Sequence, residues 1–119
     1  MSLPAPQLDH LLTHGYVLVE DFLKPQELSA ALENFLRYYP TWQELSAAPE
    51  RYGGLFDEAE SLQTEFPFAG DALNDISTHP RLIAIIEQLL GTSDILLSQS
   101  AIWAKYATAA DYEQGLHLD

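Results

Sequence analysis

Ile95-Leu96-Leu97-Ser98-Gln99-Ser100-Ala101-Ile102-Trp103-Ala104-Lys105-Tyr106 is the stretch on which the fold turns. Read as an extended chain, it puts Ile95, Leu97, Gln99, Ala101, Trp103 and Lys105 on one face. Leu96, Ser98, Ser100, Ile102, Ala104 and Tyr106 then lie on the other. The alternation, opened by Asp94, predicts a strand over Ile95–Tyr106. The face of Gln99 and Trp103 fits two roles. It is either the wall of a binding pocket, apolar with a few polar groups, or the wet face of an edge strand.

A polar connector, 107–114, separates this stretch from Leu116-His117-Leu118-Asp119. In extended backbone His117 and Asp119 share a face, so an imidazole nitrogen and a carboxylate oxygen can reach one metal ion. That is two-thirds of the 2-His-1-carboxylate set that binds non-heme Fe(II) and leaves positions open. As a dipeptide pattern it also fits a surface His beside an acidic residue. Leu116 and Leu118, on the opposite face, would fix such a strand in a core.

Upstream, His79-Pro80 starts a helix that Gly91 ends. Leu82, Ile83, Ile85, Ile86, Leu89 and Leu90 make it apolar around much of its circumference, which predicts a buried helix over Pro80–Leu90. Ser77 or Thr78 is the expected N-cap, and His79 is read as a helix-start residue. An amphipathic helix is expected over Pro25–Tyr38, with Leu28, Ala31, Leu32, Phe35, Leu36 and Tyr39 as its apolar side and Pro40 as its stop. A short amphipathic segment, Gln7–His14, ends at Gly15, and Tyr16–Val19 reads as a strand. Trp42–Ala48 is expected to form a short helix before Pro49. Arg51–Asp75 reads as a long irregular segment pinned to the core by Phe56, Phe66 and Phe68. Its acidic cluster of Asp57, Glu58, Glu60 and Glu65 lacks the alternation of a calcium loop and reads as a solvated face.

Composition narrows the partners. The 119 residues carry 18 acidic and five basic side chains, a formal net charge of −13. Such a surface repels phosphate backbones and anionic lipid, so neither nucleic acid nor membrane is an expected partner. With no cysteine, disulfides and thiolate metal sites are excluded, and any metal must use His and carboxylate ligands. No apolar run has the length of a membrane span. The length fits a single domain, 1–119, and the absence of a signal-like start predicts a cytoplasmic protein.

In their order, these elements resemble the phytanoyl-CoA dioxygenase family. The features that carry the resemblance are Gly15-Tyr16-Val17-Leu18-Val19, a helix opened by Lys24-Pro25-Gln26-Glu27-Leu28, His79-Pro80-Arg81-Leu82, the Ser98–Lys105 strand and the His-x-Asp. The likeness runs from Gly15 to Asp119 and corresponds to the N-terminal half of a member. It implies an α+β fold, with N-terminal helices plus the first strands of a double-stranded β-helix, a cupin-like jelly roll that is incomplete in this chain. It also implies an Fe(II)- and 2-oxoglutarate-dependent dioxygenase that uses O2 to hydroxylate a small-molecule C–H bond. His117 and Asp119 match iron ligands. Gln99, Ala101 and Trp103 match positions facing 2-oxoglutarate or substrate. The distal His and the basic partner of 2-oxoglutarate belong to the family's C-terminal half. This chain by itself is therefore expected to be inactive, and the exposed edge of a half jelly roll is expected to favour self-association. Two other readings stand beside it. One is a non-catalytic acidic helical interaction domain that binds a basic partner. The other is a cupin without 2-oxoglutarate chemistry.

Overall fold

The computed structural model describes residues 2–53 and 65–107. Five α-helices order the described chain: α1 Ala5–His14, α2 Pro25–Phe35, α3 Trp42–Ala47, α4 Ala72–Ser77 and α5 Pro80–Leu90, with a 3-10 turn at Pro49–Tyr52 after α3. Their ends follow local chemistry. α1 stops at Gly15, whose φ of 80° no β-carbon hinders, and the Gly15 N–H closes on the Leu11 carbonyl at 2.8 Å. α3 opens with a reciprocal cap. Thr41 Oγ1 accepts from Glu44 N–H at 3.2 Å, and Glu44 Oε2 accepts from Thr41 N–H at 2.8 Å. At α2 the Glu27 carboxylate accepts the Lys24 N–H at 2.7 Å.

Helix α2 stops at Phe35, short of the expected Tyr38. Its last turn tightens instead, with Arg37 N–H bonded to the Asn34 carbonyl and Tyr38 N–H to that of Phe35. Helix α4 begins inside the segment expected to be irregular and runs two residues past its end. The N-cap of α5 is His79, not Ser77 or Thr78. Those two hydroxyls are turned back onto α4, bonding the carbonyls of Leu73 and Asn74.

The core is small and forms where α2 crosses α4. Ala31, Phe68 and Leu73 are buried together, with Tyr38, Ile76 and Ile102 packed around them. Asn34 is buried among them, yet its amide is satisfied. Nδ2 donates to the Ala69 carbonyl at 2.8 Å, and Oδ1 accepts from Leu73 N–H at 3.2 Å. Asn74 holds the same loop from the other side, through both backbone groups of Phe68 and the Gly70 carbonyl. The apolar side read from the sequence packs only in part. Ala31 and Tyr39 are buried, with Asn34 beside them, whereas Leu28, Leu32 and, at the C-cap, Leu36 are 58%, 55% and 40% exposed. Helix α5, expected to be buried, has no buried residue.

The expected β architecture is corrected. Neither the first strands of a double-stranded β-helix nor any other sheet is formed among the described residues; what exists is one antiparallel bridge, Glu65 to Ala101. Tyr16–Val19 is not a strand. It leaves α1 with Tyr16 and Leu18 turned to solvent, 64% and 76% exposed. Ile95–Tyr106 is neither helix nor strand. The physical reason is the same in both places. A strand is defined by its ladder to a neighbour, and alternation supplies the face without supplying the neighbour. The second half of the stretch is held by single contacts instead. Phe66 N–H donates to the Ser100 carbonyl at 2.8 Å, and Ser77 Oγ lies 2.8 Å from Ser100 Oγ. Tyr39 Oη donates to the Ile102 carbonyl at 3.1 Å, and Tyr106 Oη to that of Pro40 at 2.6 Å.

Candidate functional site

The residues with the most pointed chemistry in the sequence, His117 and Asp119, lie outside the described residues. Gln99 and Trp103, matched by resemblance to the 2-oxoglutarate and substrate face, are both exposed, Trp103 at 52%. Ile102 and Ala104, on the opposite alternation, turn inward, and Ala104 is buried. The described part of the stretch thus keeps Gln99 and Trp103 on its outer side.

The densest polar constellation among the described residues joins the starts of α2 and α5. His79 Nδ1 accepts the Arg81 N–H at 3.1 Å, which makes it the cap of α5. An unprotonated Nδ1 places the ring proton on Nε2, 3.3 Å from Glu27 Oε1. Glu27 in turn receives the Lys24 N–H on its other oxygen. That backbone bond, helped by the His79 ring, holds the Glu27 carboxyl below its ordinary value. Arg81 completes the group. Its Nη1 donates to the carbonyls of Asp21 and Phe22, and its guanidinium sits 4.8 Å over the Phe22 ring. The Phe22 ring also lies 5.3 Å from that of His79.

Beside this group a cleft of about 280 Å3 is lined by Gln26, Glu27, Ala30, Asp75, Ile76 and His79. Its chemistry is that of a structural joint. The imidazole and both Glu27 oxygens are engaged in holding helix ends, and no three His, Asp or Glu side chains among the described residues converge on a metal position. Sequence reasoning named His79 as a helix-start residue but missed Glu27 and Arg81 as its partners. The spacing from Glu27 to His79 carries no local signal that could have joined them. No family model, curated protein or solved structure matches this chain. No helix among the described residues is long and apolar enough to cross a membrane.

Proposed function

We propose that this chain contributes His117 and Asp119 as iron ligands to an Fe(II)- and 2-oxoglutarate-dependent dioxygenase that hydroxylates a small-molecule C–H bond. The observation that carries the reading is the His-x-Asp pair itself, in a chain without cysteine where His and carboxylate are the available donors. One imidazole and one carboxylate suit a ferrous ion that must keep positions open for 2-oxoglutarate and O2. Bound iron with those cosubstrates supplies oxidative hydroxylation; this chain's part is to hold and orient. Gln99 and Trp103, on the outer side of the stretch before the pair, are the side chains assigned to cosubstrate or substrate. That stretch is braced by Ser77 at the end of α4 and by Tyr39 and Pro40 between α2 and α3. The test is made in a polypeptide that continues this chain to a second His and a basic residue. His117→Ala and Asp119→Ala should each abolish succinate formation from 2-oxoglutarate. Turnover at the parent rate in either variant would end the assignment.

A second reading is favoured by a specific observation: the described residues are helical and without a sheet, and the chain carries a formal charge of −13. A non-catalytic acidic helical domain would bind a basic partner, and its affinity would fall as salt rises. Self-association is the third element of the proposal. It rests on Ile95–Gln99, an uncharged run in which Leu96 is 94% exposed and whose Ile95, Leu96 and Leu97 line a groove together with Leu82, Ile83, Ile86 and Leu90. Salt would act oppositely there, because screening relieves the repulsion between two acidic copies.

A further inference from the structure

We propose that His10 and His14 form a chelating site for a divalent transition-metal ion of the Cu(II) or Ni(II) type. The two residues are four apart on α1, so their side chains rise from the same helix face one turn apart. The helix places their ring centroids 4.5 Å apart with the planes inclined at 41°. That separation carries the argument. An imidazole nitrogen binds such an ion at about 2.0–2.1 Å, which puts the ring centroid roughly 3.2 Å from the metal. Two rings at a right angle around one ion then stand about 4.5 Å apart, and two at the tetrahedral angle about 5.2 Å. The observed spacing lies within reach of two adjacent nitrogen donors on one ion, and the affinity order of divalent metals at nitrogen sites favours Cu(II) and Ni(II).

Three neighbouring features favour a cation there. His14 occupies the last turn of α1, where the unpaired carbonyls give the helix end a partial negative charge. The whole chain is strongly acidic. Tyr16 stands edge-on to His10, with ring centroids 5.0 Å apart and planes at 88°, and packs against that ring from beyond the helix end. His14 is exposed and His10 half-buried, so an ion can approach while one of the two rings is already held. The remaining coordination positions would be filled by water.

The test is a titration of the 119-residue chain with CuCl2 and, separately, ZnCl2, followed through the imidazole NMR signals. It is run in a His117→Ala/Asp119→Ala background, so that the result is independent of the iron assignment. Substoichiometric Cu(II) should broaden the rings of His10 and His14 first, together with Tyr16, and leave His79 sharp. The variant Leu12→His/His14→Leu keeps the number of histidines but moves one to the i+2 position, off the shared face. It should lose roughly tenfold or more in Cu(II) affinity, as His14→Ala should, since each removes the second donor held at high local concentration. Leu12 is 66% exposed, so helix content by circular dichroism should be unchanged in the relocated variant. Three results would overturn the proposal: undiminished affinity in the relocated variant, broadening of His79 ahead of the pair, or Zn(II) binding at these rings as tightly as Cu(II).

Discussion

A β-carbon on Gly70 would stand 2.9 Å from Asn34 Nδ2, so the loop between Phe68 and α4 passes the buried amide with no room for a side chain. Gly70 also has φ +93°, a conformation that side-chain-bearing residues rarely adopt. Asn34 cannot retreat, because Nδ2 is fixed by the Ala69 carbonyl and Oδ1 by Leu73 N–H. Gly70→Ala should therefore destabilise the chain by about 1–3 kcal/mol. Asn34→Ala should cost a similar amount, about 2 kcal/mol, by leaving the buried Leu73 N–H without its acceptor. Urea unfolding followed by circular dichroism measures both. A Gly70→Ala protein as stable as the parent would show that the loop passes Asn34 at a greater distance.

The leucines of α2 and the residues beneath them should respond in opposite ways. Leu73→Ala empties part of the buried cluster with Ala31 and Phe68 and should cost about 2–5 kcal/mol. Leu32→Ala, at a position 55% exposed, should stay within about 0.5 kcal/mol of the parent. Urea midpoints of the two variants in the reverse order would place the buried side of α2 on its leucine stripe.

Acid should weaken the starts of α2 and α3. Glu27 is held below the ordinary carboxylate range by the Lys24 N–H, and Glu44 by the Thr41 N–H and hydroxyl. A carboxyl with a lowered folded pKa contributes stability that is complete above its unfolded value and is lost as pH falls through its folded value. Stability should decline as the solution is acidified through and below the ordinary carboxylate range. A Glu27→Gln/Glu44→Gln variant should show a shallower decline over that window. Equal slopes for parent and variant, in urea midpoints measured against pH, would remove the two caps from the account.

By itself the 119-residue chain should bind Fe(II) weakly and form no succinate. His117 and Asp119 are two donors of a three-donor set, and an ion must repay the ordering of its own site. Anaerobic Fe(II) titration followed by a 2-oxoglutarate decarboxylation assay checks this. Tight one-to-one binding with turnover would mean that another His of this chain completes the set.

Four of the five described helices were legible because their signals are local. Pro80 and Gly91 bracket α5, Pro25 opens α2, Gly15 closes α1, and Pro49 stops the chain after α3, whereas α4 was read as part of an irregular segment. What the sequence concealed depends on partners far along the chain. Alternation in Ile95–Tyr106 describes two faces, and a ladder needs a neighbour that the described residues supply only at Glu65. The apolar side of α2 was equally visible, but α4 packs on its Ala31 edge and on Asn34 rather than on Leu28, Leu32 and Leu36, and the amide of Asn34 holds the Phe68–Gly70 loop close. At the joint of α2 and α5, His79 announced itself through the Pro that follows, whereas its pairing with Glu27 spans 52 positions and leaves no local trace. The His-x-Asp pair, the carrier of the iron assignment, lies beyond the described residues.

The two tyrosine bonds between the end of α2 and the stretch after Ser100 run in opposite directions. Tyr39 reaches forward to the Ile102 carbonyl, and Tyr106 reaches back to that of Pro40. One bond alone would act as a pivot, and two crossing the same gap act as a latch with a fixed throw. Sliding the stretch by one residue, about 3.3 Å along its axis, would pull both phenols off their acceptors together. The pair therefore works as a length gauge. It fixes the register of Ile102–Tyr106 against Tyr39 and Pro40.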